Sequence, residues 1–579
     1  MPQNSLPYIL SFLTFLPLIG AIILMLVPRP LDQSGRVGKL AEDPNRTLVN
    51  WLALGFSLTT LMLAIGLFCA FRGNYFNPFT RNGLQFVEDV SWITFGKISI
   101  HYRMGVDGFS LLMILLTTIL VPVTIYASFN VKQRVKEYMI FILILETGIL
   151  GVFTSLDLVL FYFFWEATLI PMYFLIGVFG AQNRVNAAVK FFVYTFIGSV
   201  LMLVAIIGVY TLSGTFDLAA LADQTGGPGQ VLHNSDPKVL LWMFGAFSLA
   251  FMIKVPMFPF HSWLPDAYVE APVAGSVLMS GLMSKMGCYG FIRLCLPLFP
   301  DQSRAYAGVF VTLAVIAIVY ASIIAIVQPN SKRLIAYSSI AHLGIVMLGI
   351  FSFTRVGMTG AMIQCFNHGI TTPMLFLMAG MLQDRRNTNE ISEFGGLKKI
   401  VPTMATLLLI ATLASVAVPF FNGFVGEFPI LLGSWVSARS GPAPTALAAL
   451  GMVLSAVYML WWFQRIMLGP VTKPENRSMP DLSQSEIAVL LPLAGLIFWV
   501  GLGSAFFTDR LRASTESILG YGRELMNDRM PVSGFQTLED AKDPTPPRYN
   551  APVDMTTPSG ETHKLGIEDQ SFKREDGAN

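Results

Sequence analysis

Lysines, glutamates and histidines stand in the middle of stretches apolar enough to cross a bilayer, and this combination limits the possible folds more than any other feature of the chain. Residues 249–267 read "LAFMIKVPMFPFHSWLPDA", with Lys254 two residues before Pro256, and His261 and Asp266 beyond. A transmembrane helix needs about 20 mostly apolar residues. That criterion marks about fourteen spans, near 8–27, 49–71, 108–128, 138–156, 158–179, 188–213, 238–257, 269–297, 305–328, 333–352, 356–382, 403–434, 444–468 and 486–507. Composition agrees: 13% of the 579 residues are charged, against about 25% in soluble domains. The expected class is an all-α polytopic membrane protein whose solvent is the lipid bilayer.

Several function classes drop out. The net charge is +2 and the basic residues are scattered singly, so no nucleic-acid partner is expected. Cys69, Cys288, Cys295 and Cys365 lie in apolar stretches without a CxxC pair, which argues against zinc, iron–sulfur and disulfide frameworks; no metal site is expected. The first apolar segment lacks a basic leader and a small-residue cleavage site, so it reads as a span and not as a signal peptide.

Basic residues gather in alternate loops: Arg29, Arg36, Lys39 and Arg46; Lys132, Arg134 and Lys136; Lys332 and Arg333; Arg385, Arg386, Lys398 and Lys399; Lys473 and Arg477. Such loops face the cytoplasm, which puts both termini on the opposite side. Residues 73–105 are too long for a simple turn, and "FVEDVSWITFGKISIHY" alternates enough for a hairpin. A transmembrane domain over 1–526 is expected. The polar, Pro-rich residues 527–579 read as a disordered tail.

An internal echo runs through the chain. The seventh span holds "LAFMIKVPMFPF" and the twelfth "LASVAVPFFNGF". Each reaches a proline, Pro256 or Pro419, and continues as a second half-helix. Pro-interrupted helices in corresponding positions point to a transporter of two inverted repeats. Here these are five-helix repeats, spans 4–8 and 9–13, over about 138–297 and 305–468, with broken helices 7 and 12.

The mid-span ionisable residues are Glu146, Glu166, Lys190, Lys254, Lys285, His342, His368 and Glu427. A charge at the bilayer centre costs roughly 3 kcal/mol, so five facing lipid would cost on the order of 15 kcal/mol, more than a typical net stability. They must face the interior, as ion-pair glue or as a proton relay. The mid-helix cations are lysines, which release protons, whereas arginines cluster at loops and ends. Freed backbone at Pro256 and Pro419 is tolerated only in protein or beside a wet cavity. Asp107 and Asp157 read as helix caps. His261, Asp266 and Glu270 read equally as pathway or interface groups.

The strings "FFWEATLIPMYFLIG", "KVPMFPFHSWLPDAYVEAPVAGSVLMSGLMSKMG", "KRLIAYSSIAHLG", "NHGITTPMLFL" and "NGFVGEF" resemble the antiporter-like membrane subunits of respiratory complex I. The likeness covers roughly residues 100–470. Relatives of that family serve multi-subunit sodium/proton antiporters and membrane-bound hydrogenases. The resemblance implies a proton-translocating subunit of NADH–quinone oxidoreductase, driven by electron transfer in other subunits. It makes Glu166 and Lys254 the coupled pair of the first half-channel. Lys285 and His342 become the central connection, His368 the step toward Glu427, and Glu427 the terminal exchange site. Glu146 and Lys190 become supporting members of the polar axis, with His261 a possible further proton stop. It also implies partners: two sibling subunits and the lateral helix of the largest. Flavin, iron–sulfur clusters and quinone are expected in partner subunits, with no cofactor in this chain. Most members carry lysine where Glu427 stands. That glutamate, with an expected absence of the lateral helix, selects one of the three sibling types. It also favours the oxidoreductase over the alternative, a sodium/proton antiporter subunit. The chain departs from the family pattern at Asn330, at Val416 and Val418 around the second break, and at "DLSQSE".

Overall fold

The computed structural model describes residues 8–28, 45–72, 84–96, 98–223 and 226–520. The expected tail and the basic residues Arg29, Arg36 and Lys39 lie outside them. The described part belongs to one compact unit, Met1–Glu524.

In chain order, α1 (Ile9–Leu26) and α2 (Arg46–Ala70) precede a two-stranded antiparallel hairpin, β1 (Gln85–Phe95) and β2 (Ile98–Val106). Next come α3 (Gly108–Ala127), α4 (Val135–Thr154), α5 (Leu158–Ala167), α6 (Leu169–Phe179), α7 (Arg184–Ser213), α8 (Pro237–Lys254) and α9 (Trp263–Glu270). The stretch after α9 alternates α10 (Val273–Leu278) and α11 (Ser284–Gly290) with two π-helical turns, Met279–Met283 and Phe291–Cys295. Then follow α12 (Ala307–Ile326), α13 (Ser331–Ile350), α14 (Arg355–Arg386), α15 (Pro402–Ser415), α16 (Asn422–Trp435), α17 (Pro442–Met467), α18 (Gln484–Leu502) and α19 (Ala505–Gly520).

Among the described residues, eleven helices are long and apolar enough to cross a membrane. Three further sequence-marked spans take other forms. The one near 269–297 is the α/π run through α10 and α11, that near 356–382 is the 32-residue α14, and that near 403–434 is the pair α15 and α16. Burial separates core from rim. Ser331–Ile350 is 89% buried, whereas Gln484–Leu502 is 33% buried, as a lipid-facing helix should be.

Capping and hairpin contacts fix the ends. The Asp107 carboxylate accepts from the Ser110 N–H at 2.8 Å and from Arg293 at 3.2 Å. Asp157 starts α5 by accepting from Val159 N (2.8 Å) and Leu160 N (3.2 Å), and also binds His101 N (3.3 Å) on β2. Burial pushes the Asp157 carboxyl up to about 6, with the three backbone donors opposing and the Asp217 charge adding to the rise. Glu88 of β1 accepts from Leu10 N at 2.7 Å, placing a carboxylate on the positive end of α1.

Both proline-marked spans are broken, and in the same way. Val255 N donates to Phe251 O (2.8 Å), the last α-type bond of α8. Met257 N then skips one carbonyl and reaches Met252 O (2.9 Å). In the second break Val416 N donates to Thr412 O (3.0 Å), and Val418 N reaches Leu413 O (3.2 Å). The skipped Ile253 carbonyl is taken by the Trp263 indole N–H at 3.0 Å, so the break leaves that acceptor satisfied inside the membrane.

Glycines let α14 and α16 approach closely. A Cβ on Gly433 would overlap the backbone nitrogen of Gly357, and one on Gly426 would overlap the Gln364 side chain. Small residues at such crossings are the usual route to close helix packing in lipid. Gly433→Val should therefore lower stability by about 1–3 kcal/mol, read as an earlier thermal unfolding transition in detergent. Gly55→Val, at a position with nothing within reach, should leave the transition nearly in place.

Candidate functional site

Four helices bring four of the sequence-marked residues into one buried line. Lys285 lies on α11, between the two π turns. Its ammonium donates to the Ser280 carbonyl one turn back. It also lies 2.6 Å from Nδ1 of His368 on α14 and 3.3 Å from the Ser284 hydroxyl. The His368 ring centroid is 5.8 Å from that of His342 on α13. His342 Nδ1 is 2.6 Å from Glu427 Oε1 on α16. The same oxygen accepts from Gln364 Nε2 at 2.9 Å. On the other side of the ring, His342 Nε2 is 3.4 Å from the Ser415 hydroxyl at the second break. The sequence is thus Lys285, His368, His342, Glu427. His342, not His368, touches the glutamate, because His368 sits one turn beyond Gln364 on α14 and meets α11 instead.

All four side chains are buried, Lys285 at 0% and Glu427 at 1% exposure. Two polar atoms along the line, His368 Nε2 and Glu427 Oε2, complete no hydrogen bond among the described residues. Buried polar atoms of this kind are the usual seats of ordered water. The start of α16 is fixed by amide contacts across the break. Asn367 Nδ2 donates to Asn422 O at 2.7 Å, Asn422 Nδ2 to Asn367 O at 3.2 Å, and the Thr371 hydroxyl to Asn422 Oδ1 at 3.2 Å.

Lys254 ends α8 at the first break and is 2% exposed. Its ammonium lies over the Trp165 ring, 5.1 Å from the centroid, and 6.0 Å from that of Phe191. The Glu166 carboxylate acts on it electrostatically, with no direct ion pair between the two. A cation over an indole face is held without a permanent counter-ion.

The remaining candidates separate from this line. Glu146 on α4 is fully buried and, among the described residues, accepts only from the Ser57 hydroxyl, at 3.3 Å. Lys190 on α7 pairs with Asp266 (2.8 Å) and the Ser262 carbonyl (2.8 Å), and Asp266 also accepts from Arg333 at 3.1 Å. Its partner is therefore Asp266, two turns past the first break. His261 sits between the Phe258 and Tyr320 rings, with centroids at 5.8 and 5.3 Å. The break at Pro256, Met257 and Pro259 carries it away from the helical register of Lys254. Gln364, Ser415, Asn367, Asn422 and Trp263 were not singled out from sequence. Their only signal was position, beside a break or one turn from a marked histidine.

A family model described as "NADH:quinone oxidoreductase/Mrp antiporter, TM" matches residues 155–461, the segment holding the two breaks and all four members of the line. The chain belongs to that family. Within it, the chain is 40% identical to NADH-quinone oxidoreductase subunit M of Rhodobacter capsulatus over 526 residues, 88% of this chain and 96% of the relative. That is the sibling type, counterpart of mitochondrial NADH dehydrogenase subunit 4, that Glu427 selected. A chain of the respiratory complex I structure from Thermus thermophilus superposes with a TM-score of 0.76 at 28% identity, covering 88% of this chain and 99% of its own. A chain of the Mrp complex from Dietzia sp. DQ12-45-1b gives 0.75 at 19% identity, covering 90% and 98%, a likeness of fold alone. The fold is thus common to chains of a respiratory complex I and of an Mrp complex.

The His342–Glu427 contact yields a measurable coupling. His342→Leu should destabilise the protein by about 3–5 kcal/mol, because it leaves a buried carboxylate short of a partner. Adding Glu427→Leu should recover most of that loss. Additive losses in a thermal-unfolding double-mutant cycle would show that the two groups are not energetically paired.

Proposed function

We propose that this chain is a proton-translocating subunit of the membrane arm of an NADH–quinone oxidoreductase, in which Lys254, Lys285, His368, His342 and Glu427 pass protons. The observation that carries the reading is the Lys285–His368–His342–Glu427 line, with 2.6 Å contacts at both ends. Each member has a charged and a neutral form, and neighbours differ in which form they favour beside each other. A proton leaving the Lys285 ammonium passes to His368 Nδ1. The 5.8 Å between the two ring centroids is a gap that one bridging water spans. His342 then hands the proton to Glu427, next to the second break.

Lys254 and Glu166 form the first half of the same system. Trp165 holds the ammonium in place when Glu166 is neutralised or turned away, so the lysine can switch between holding and releasing its proton. Glu146 supports this half. Lys190 and His261 act at the membrane edge of the first break. The two breaks, with their matching bond pattern, belong to two inverted five-helix repeats. NADH oxidation and quinone reduction take place in other subunits, which hold the flavin, the iron–sulfur clusters and the quinone. The direct partners are the two sibling subunits and the lateral helix of the largest one. The protein sits in a bacterial inner membrane, and the basic loops support an orientation with both termini periplasmic.

The rival reading, a sodium/proton antiporter subunit, shares the fold. Glu427 in the exchange position and 40% identity to an oxidoreductase subunit over 88% of this chain favour redox-driven pumping. In the reconstituted complex, Lys254→Ala and Glu427→Ala should each cut proton pumping at least ten-fold while the complex still assembles. Normal pumping in an assembled Lys254→Ala complex would sink the relay. Pumping by the unaltered complex that stops when sodium is removed would favour the antiporter.

A further inference from the structure

A second set of buried polar groups lies off this line, where α13 begins and α14 ends. A cavity of about 340 Å³ is bordered by Thr124, Tyr138, Ala274, Lys332, Gln383 and Asp384. A neighbouring cavity of about 560 Å³ also has Asp384 in its wall, together with Arg46, Tyr126 and Glu486. Lys332 is 3% exposed. Its ammonium makes no hydrogen bond or direct ion pair among the described residues, although the Asp384 and Glu270 carboxylates act on it. It stands in the first turn of α13, where the helix dipole disfavours a cation. Its sequence neighbour Arg333 takes the structural role, pairing with Asp266 at 3.1 Å. A lysine kept buried, unpaired and on the wrong end of a helix is poorly explained as glue.

From this cavity a polar trail leads to Lys285. Ser339 is seven residues beyond Lys332 on α13, two turns along the same face and roughly 10 Å away. Its hydroxyl and that of Ser284 flank the hydroxyl of Tyr268 on α9. Tyr268 is 0% exposed, and its hydroxyl and that of Ser339 complete no direct hydrogen bond among the described residues. The Ser284 hydroxyl is the one that sits 3.3 Å from the Lys285 ammonium. A phenol hydroxyl without a direct partner in the core of a membrane protein does not add to stability, so it is retained for something else.

We propose that this cavity is the proton intake of the relay: Lys332 and Asp384 load a proton from the basic-loop face, and Tyr268, flanked by Ser339 and Ser284, conducts it to Lys285. The proposal rests on the relay reading above. A proton taken up from water at Asp384 moves to the neutral Lys332 amine. Lys332 passes one over bridging water to the Ser339–Tyr268 hydroxyls, which release their own proton onward through Ser284. The neutral Lys285 amine accepts it. Each hydroxyl gains one proton and loses one, so Tyr268 never needs to ionise, and the net change is one proton moved from the cavity to Lys285.

The test uses the whole reconstituted oxidoreductase complex. Protons pumped per NADH oxidised are compared for Tyr268→Phe, Lys332→Met, Lys332→Arg and, as reference, Lys254→Ala. Tyr268→Phe deletes one oxygen atom and keeps the ring packed against Phe376 (centroids at 5.4 Å), so assembly should be unchanged and thermal stability should not fall. Its pumping ratio should fall at least three-fold. Lys332→Arg keeps the charge but cannot release a proton, and should be as defective as Lys332→Met. Parent-level pumping in Tyr268→Phe, or rescue by Lys332→Arg of a defect seen in Lys332→Met, overturns the intake while a defective Lys254→Ala leaves the relay standing. Normal pumping in all four variants overturns the relay and the intake with it.

Discussion

Inside a bilayer a carboxylate has no solvent to replace a missing donor, and the hydrogen bond between His342 and Glu427 has to be read against that constraint. Glu427 is 1% exposed, so its place is decided by what can donate to it: His342 on one side and the Gln364 amide on the other. Gln364 reaches it because α14 and α16 lie close together, and they do so because Gly426 and Gly433 present no Cβ to α14. The backbone packing of two helices therefore sets the electrostatics of one carboxylate. Removing the glycines would separate donor from acceptor before it removed any charge.

The breaks serve the same end. A continuous α8 would satisfy Ile253 O internally and leave the Trp263 indole without its acceptor. The break exchanges one backbone bond for an indole bond and so ties the two half-helices together beside Lys254. The second break has no such indole. There Ala417 and Phe420 take positive φ, +56° and +77°, a conformation that glycine adopts freely and other residues adopt at a cost of order 1 kcal/mol. Neither position is a glycine, so the strain falls on the residues standing there. The amide pair Asn367–Asn422 supplies the cross-link that holds this strained turn against α14.

Much of this was legible in the sequence, because two of its signals are local. Apolar length marks a span, and a proline within a span marks a break; both breaks fall where Pro256 and Pro419 placed them. The helix caps at Asp107 and Asp157 and the hairpin before α3 follow from equally local rules. Pairings between distant residues are a different matter. His342 and Glu427 are 85 positions apart, and nothing in periodicity says which of two histidines faces the glutamate. That depends on the rotation of α13 against α14, which close glycine packing decides. Lys190 read as a supporting member of the polar axis, yet Asp266 holds it. Lys332 read as a loop charge because it follows Asn330 at a span boundary. Only the packing of α3, α4 and α14 around it buries it.

The polarity of the line explains why a glutamate stands where lysine is common. A line ending in amines at both ends would hold two like charges across a low-dielectric interior whenever both were protonated, and burying them would cost several kcal/mol with no attraction to offset it. With Lys285 at one end and Glu427 at the other, the line as a whole is neutral both when the amine is protonated with the carboxylate ionised and when the proton has crossed to the carboxylate. Those two states share the same net charge and differ in where the proton sits. The amine–imidazole–imidazole–carboxylate order places two imidazoles, each able to take up and pass on a proton, between the two ends. In the proposed relay, moving one proton from Lys285 to Glu427 would therefore discharge both ends together, with no net charge left stranded in the membrane.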